Sequence, residues 1–326
     1  MARTVKLAAA HVAPVFMDAH ASAEKAAQWI AKAGTEDIDL LVFPEVFLPG
    51  FPYWINCYPP LVQAGINTRY QEASVTVDGP EVALLVETVK AAGVTVVIGA
   101  SERRQNGRTC HNSAFFITPE DGVVGVHRKL QATYAERYIW GQGDGSTLIA
   151  PDTQAGRVSA LCCWEHTMNL ARQSMIELQA EVHAALWPSL STLAGFESLA
   201  DLQIEAMMRN HAFTGGCFVV AAAGPVTQDA LDFMASELGP QEFLGLGGGW
   251  SAIIHPLAPN VAGPHTGCEE ILVSAEVDLD DIHGAKLWLD GTGHYARPEI
   301  LKLVVDRRAK PTVEYVDEEG GIAGAE

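Results

Sequence analysis

Two adjacent thiols, Cys162 and Cys163, close a strand-like segment R-V-S-A-L-C-C and lead into W-E-H-T-M-N-L, which has helical character. A thiolate is a strong nucleophile. To attack an electrophilic carbon it needs a base for its proton and cations or N–H groups around the charge that develops. Alternation along the strand puts Ser159, Leu161 and Cys163 on one face and Val158, Ala160 and Cys162 on the other, so only one thiol can face a site. Cys163 lies nearer the turn, where the amides that open the following helix would favour the thiolate. Cys163 is therefore the candidate nucleophile and Cys162 a packing residue.

Two charged residues elsewhere fit the companion roles. Glu45, in L-L-V-F-P-E-V-F-L-P-G-F-P, directly follows a buried strand in an apolar stretch, where burial raises a carboxyl pKa toward values useful for moving protons at neutral pH. Lys129 ends the strand-like run G-V-V-G-V-H-R-K-L. Aromatic residues stand close to these positions: Phe51, Tyr53 and Trp54 after Glu45, Trp164 after Cys163, and Trp187 at a strand end. Aromatics serve cores and pockets alike, and in the second role they would suit an aromatic or arylaliphatic substrate.

The elements that must position these groups alternate along the chain. Val5–Val12 reads as a strand, Ser22–Ala33 as a helix with Ala26, Trp29, Ile30 and Ala33 on one face, and Asp39–Phe43 as a short buried strand. Asp78-Gly79-Pro80 starts a second helix, Gly93 ends it, and Val94–Ala100 continues as a strand. A hairpin follows, Asn112–Thr118 and Gly122–Lys129. Then come a strand at Arg157–Cys163, a helix over 167–179, a strand at Val182–Trp187, a helix at Leu199–Thr214, strands at Cys217–Ala223, Ser251–Ile254 and Glu270–Val277, and a short helix near Leu279–Leu287. Hairpins among βαβ units predict mixed sheets in one large α/β domain.

Charge and composition exclude other classes. The 326 residues carry a formal charge of −19, and residues 227–326 hold 18 acids and 6 bases, an excess of 12. Clustered Lys and Arg, which nucleic acid and anionic membrane require, are missing. Residues 243–268 contain no charged side chain, but their six Gly, three Pro and two His predict a loop around one short strand and not a membrane span. His11 and Pro14 interrupt the apolar N-terminus, which reads as the first core strand and not as a signal peptide. Six cysteines are too few for a disulfide scaffold, which suits a cytoplasmic protein, and no CxxC or HExxH points to a metal. G-Q-G-D-G (141–145) does not link a strand to a helix as a dinucleotide loop must.

Three separated segments, F-P-E-V-F-L-P-G-F-P, H-R-K-L-Q-A-T-Y-A-E-R-Y-I-W-G-Q-G-D-G and C-W-E-H, together resemble the nitrilase branch of the carbon–nitrogen hydrolase superfamily, and G-H-Y-A-R-P-E at His294 extends the likeness. The order Glu, Lys, Cys is that family's order. The resemblance implies a four-layer α-β-β-α sandwich with two mixed sheets over residues 1–305, an acidic tail over 306–326, and neither metal nor organic cofactor. It also implies homodimers paired through helices near the nucleophile and assembling into larger homo-oligomers, spirals among them. Residue by residue, Glu45 matches the general base, Lys129 the cationic stabiliser, Cys163 the nucleophile and Glu136 a second carboxylate. Trp164-Glu165 and W-G-Q-G-D-G look more like nitrile hydrolases than amidases or carbamoyl hydrolases. The expected reaction takes a small-molecule nitrile and water to a carboxylic acid and ammonia through a covalent Cys163 intermediate, with Tyr53, Trp54, Trp164 and Trp187 as candidate substrate-binding residues. An amidase or carbamoyl hydrolase would use the same residues, and a catalytically silent scaffold of the same fold is a third reading.

Overall fold

A computed structural model describes residues 3–105 and 107–310 of the chain. The tail expected over 306–326 lies outside the described residues from 311 onward. Strands rich in Val, Ala and Leu, buried at the centre of each sheet and more open at its edges, build two six-stranded sheets among the described residues. β1 (Thr4–His11), β2 (Leu40–Val42) and β3 (Thr95–Arg103) run parallel, and β4 (Cys110–Thr118) and β5 (Gly122–Arg128) continue the first sheet by antiparallel pairing. The second sheet contains β6 (Asp152–Thr153), β7 (Gly156–Cys162), β8 (Val182–Trp187), β9 (Phe218–Ala223), β10 (Ser251–Ile254) and β11 (Asn260–His265), with β7, β8 and β9 parallel. β12 (Ile271–Asp278) returns to the first sheet, antiparallel beside β1.

Strand alternation explains the four layers. Leu7, Ala9, Leu40, Val42, Val97 and Phe116 point inward from the first sheet and meet Val158, Ala160, Cys162, Ala184, Leu186 and Val220 from the second. The opposite face of the first sheet packs on the helices Ala19–Thr35 and Pro80–Ala92 through Ala8, Leu41, Ile98, Ile30 and Leu85. Behind the second sheet lies the helix Ala200–Gly215, with Ile204, Met208 and Ala212 against Ala185, Val219 and Ala221. The Asp18 side chain caps the first of these helices by accepting from Ala21 N at 2.9 Å. As the sequence implies, Pro80 opens the second and Gly93, at φ +69°, ends it.

Two local expectations need correction. The uncharged segment 243–268 holds two strands, β10 and β11, where one was expected, because Gly263 and Pro264 mask an edge strand whose residues alternate between half-buried and exposed. β7 ends at Cys162, and Cys163 already belongs to a 3₁₀ turn, Cys163–Thr167, with the helix delayed to Asn169–Glu177.

Candidate active site

The loops that follow β2, β5 and β7 meet at one edge of the sandwich, outside the carboxyl ends of parallel strands where α/β folds place their sites. Glu45 follows β2. Its loop lies flat on β3 because residue 99 is glycine: a Cβ there would stand 2.3 Å from Val46 N and 2.4 Å from Pro44 O. Lys129 follows β5, with its backbone held on both sides. Its N–H donates to Asn112 O, and its carbonyl accepts from Gly143 N, each at 2.8 Å. A Cβ on Gly143 would lie 2.1 Å from Arg128 O, so the G-Q-G-D-G segment serves as backing for the lysine. Glu136 sits in the 3₁₀ turn Tyr134–Tyr138, where one oxygen also accepts from Thr133 N at 2.9 Å.

These groups converge. Lys129 Nζ donates to Glu45 Oε1 at 2.9 Å and to Glu136 Oε1 and Oε2 at 2.9 and 2.8 Å. Cys163 Sγ and one carboxylate oxygen from each glutamate lie within 4.8 Å of one another. All four side chains are buried. A thiol and two carboxylates form a conceivable metal donor set, but the Lys129 ammonium already bridges both carboxylates, and a dication would have to displace it. Sequence and structure thus agree on bringing Glu45, Lys129, Glu136 and Cys163 together.

Burial governs the protonation of the cluster. Desolvation pushes the Glu45 carboxyl up to about 7, against the pull of Lys129. Burial opposes the charge on Lys129, yet Glu136 and Glu45 outweigh it and hold the ammonium pKa well above its ordinary value. Desolvation and then Glu45 push the Cys163 thiol well above a free thiol, while Lys129 and the Trp164 N–H favour its ionised form. A thiol beside a carboxyl that titrates near neutrality is arranged for proton transfer between them.

Backbone strain marks the same place. Val46, Tyr134 and Cys163 adopt φ of +49°, +46° and +51°, values that L side chains rarely take. They stand next to Glu45, two residues before Glu136, and at the thiol itself. Strain of this kind costs about 1–3 kcal/mol per residue and persists only where surrounding structure enforces it. At Cys163 the left-handed turn lifts the thiol off the end of β7, while Cys162 stays in the core between the sheets. One enforcing contact is His166 Nδ1, which donates to Cys163 O at 2.6 Å; its Nε2 accepts from His183 Nε2 at 2.9 Å, and His183 Nδ1 in turn accepts from Ser159 Oγ at 2.7 Å.

A cavity of about 440 Å³ opens on Cys163 and Glu136, lined by Phe51, Tyr134, Trp164, Leu193, Phe196 and Phe243 among others. Of the four aromatics expected at a substrate, Trp164 is there. The other three do not line this cavity. Trp54 is fully buried, donates from Nε1 to Asn67 Oδ1 at 2.7 Å and packs edge-on against Tyr70. Trp187 is fully buried and stacks on His166. The Tyr53 hydroxyl accepts from Ser189 N at 2.8 Å, and its ring lines a separate cavity of about 30 Å³ with Glu45. Large rings close to the site are needed to seal the core under it, which sequence distance cannot distinguish from lining. His294 is exposed and does not line the cavity.

Asn112 was missed by sequence reasoning. Its Nδ2 donates to Glu45 Oε1 at 2.6 Å from the third position of the buried strand β4. The available signal was the polar run His111-Asn112-Ser113 in an otherwise apolar β4.

Comparison with known proteins bears on the family and the fold. The carbon–nitrogen hydrolase family model matches residues 6–286. An aliphatic nitrilase from Rhodococcus rhodochrous is 36% identical over 310 residues, 94% of this chain and 83% of that one. An arylacetonitrilase from Hypocrea virens is 32% identical over 316 residues, 95% and 94% of the two chains. Among solved structures, a Saccharomyces cerevisiae member of branch 10 of the nitrilase superfamily superposes with a TM-score of 0.69 at 17% identity, covering 90% of this chain and 96% of its own.

Proposed function

Because the chain belongs to the carbon–nitrogen hydrolase family and is a hydrolase acting on carbon–nitrogen bonds, we propose that it converts an organic nitrile, aromatic or arylaliphatic, to the carboxylic acid and ammonia through a covalent Cys163 intermediate. The observation that carries this reading is the buried cluster itself: a thiol within 4.8 Å of two carboxylates that share one ammonium, at the floor of an apolar cavity.

Glu45 takes the Sγ proton as the thiolate attacks the nitrile carbon, and the proton passes to nitrogen to give a thioimidate. Once Glu45 is neutral its hold on Lys129 weakens, which frees an ammonium N–H for the negative charge that builds on the substrate. Glu136 keeps the lysine aimed throughout. Water, deprotonated by Glu45, adds to the thioimidate carbon; the nitrogen is protonated and leaves as ammonia, and a thioester remains. A second water cleaves the thioester, releasing the acid and restoring the thiol. The sum is one nitrile and two waters to one acid and one ammonia.

The aromatic rim of Phe51, Tyr134, Trp164, Phe196 and Phe243 favours a ring-bearing substrate over a very small one. Relatives named as an aliphatic nitrilase and as an arylacetonitrilase bracket the choice. A panel of aryl, arylacetic and short aliphatic nitriles with the matching amides, scored for acid and ammonia, tests the reading. Faster turnover of amides than of nitriles would replace it with an amidase. The wider proposal is a cytoplasmic enzyme that pairs into homodimers and larger homo-oligomers. Exposed Leu170, Leu202 and Phe213, on the helices Asn169–Glu177 and Ala200–Gly215, support the pairing. Among the described residues no helix is long and apolar enough to cross a membrane.

A further inference from the structure

We propose that Glu165, paired with His127, is a positioning residue that sets the spacing between Cys163 and Lys129. The thiol and the ammonium come from different sheets, one following β7 and the other β5. Their separation therefore depends on what crosses between the two loops. Glu165 does so with both oxygens.

Glu165 Oε2 accepts from Cys162 N at 3.0 Å, which by itself is ordinary capping of the turn Cys163–Thr167. Its other oxygen leaves the turn and accepts from Leu130 N at 2.8 Å. The two amides belong to the immediate chain neighbours of Cys163 and Lys129, so one carboxylate fixes both backbones. His127 Nε2 approaches the same carboxylate at 3.0 and 3.2 Å, while its Nδ1 lies 3.0 Å from Thr147 O. A carbonyl only accepts, so Nδ1 carries hydrogen. A carboxylate that already accepts two amides then takes a second ring proton from Nε2. The pair is an imidazolium and a carboxylate, with 1% and 0% of their side chains exposed. His127 lies two residues before Lys129 on β5, so the pair ties the Lys129 strand to the Cys163 turn a second time.

Neither side chain lines the cavity. Loosening the clamp should therefore slow chemistry while leaving binding intact. In Glu165→Gln a single carbonyl oxygen must serve two amides, and one crossing contact is lost. A misplacement of about 1 Å at reacting groups costs on the order of 100-fold in rate, so kcat should fall about 100-fold with KM within threefold of wild type and the urea midpoint largely retained. His127→Gln keeps both amide contacts and removes the charge; roughly a tenfold lower kcat at unchanged KM is expected.

A folded Glu165→Gln with kcat within threefold of wild type overturns the proposal, as does a loss confined to KM. If that variant does not fold, His127→Gln decides: lower kcat at constant KM supports the role, and wild-type kcat overturns it. Imidazole nitrogen NMR shifts of the wild-type protein at pH 7 provide a check free of substitutions, since a singly protonated His127 ring would contradict the clamp. The inference rests on the roles proposed for Cys163 and Lys129, and the two can fail separately. An active Cys163→Ala sinks the proposed function, whereas an inactive Cys163→Ala beside a fully active Glu165→Gln sinks only the positioning role.

Discussion

Replacing Asn112 by leucine removes the 2.6 Å hydrogen bond to Glu45 Oε1 and keeps the backbone carbonyl that accepts from Lys129 N. Burial pushes the Glu45 carboxyl up to about 7; Lys129 opposes the rise, and the Asn112 amide opposes it further by binding the ionised form. A hydrogen bond to a charged group is worth about 1.5–3 kcal/mol, and one pKa unit is about 1.4 kcal/mol, so its loss should raise the Glu45 pKa by about 1–2 units. If ionised Glu45 is the base, the reactive fraction at pH 7 falls from about one half to about 1–10%, a roughly 5- to 50-fold loss in kcat/KM. The loss should be recovered almost fully near pH 10. The assay is kcat/KM between about pH 5 and about pH 10 for both proteins, in which the acid limb of the variant moves upward. A loss that is equal at every pH would make Asn112 a packing residue only. An unmoved acid limb with normal activity would remove Glu45 from the base role.

Three further outcomes are expected. Gly99→Ala drives a Cβ into the backbone of residues 44–46 and displaces Glu45, so kcat should fall by about 100-fold; activity within threefold of wild type would mean that the Glu45 loop can shift without consequence. Phe196→Ala enlarges the cavity where Phe196 meets the Trp164 ring, at 5.6 Å between centroids, and should cost an arylacetic nitrile on the order of tenfold in kcat/KM while sparing a short aliphatic one; equal losses on both would argue against lining. Because 12 of the 19 excess negative charges lie in residues 227–326, raising salt should shift sedimentation toward larger assemblies by screening that charge, and a distribution indifferent to salt would count against contact between those parts.

Chemistry was more legible in the sequence than geometry. Alternation along 157–162 was enough to send Cys162 into the core between the sheets, because a strand has only two faces; Cys163 stands past the end of the strand, and its left-handed turn, not alternation, carries the thiol to the site. Glu45 was identifiable as a carboxylate in an apolar stretch and Lys129 as a cation at a strand end, whereas Glu136 came only from the family resemblance; the loops after β2 and β5, with the turn 134–138, bring the three together. Side-chain types say nothing of backbone strain, so the left-handed conformations of Val46, Tyr134 and Cys163 gave no sequence signal; none is a glycine or asparagine. Nor could spacing tell rings that line a cavity from rings that seal the core beneath it. Trp187 is the last residue of β8 and Trp164 stands just past the end of β7, yet Trp164 faces the cavity and Trp187 stacks on a buried histidine. The Glu165 clamp was equally hidden, since its partners His127 and Leu130 are more than thirty positions away and belong to the other sheet's side of the site.

The most direct test is to trap the intermediate. Enzyme mixed with an arylacetic nitrile and quenched in acid within the first turnovers should gain the mass of the acyl or imidoyl group, and peptide mapping should place that mass on Cys163 and not on Cys162. Cys163→Ala should gain no mass and release no ammonia, while Cys162→Ala should do both. An adduct on Cys162, or full turnover by Cys163→Ala, would contradict the assignment of the thiol at the mouth of β7 as the nucleophile.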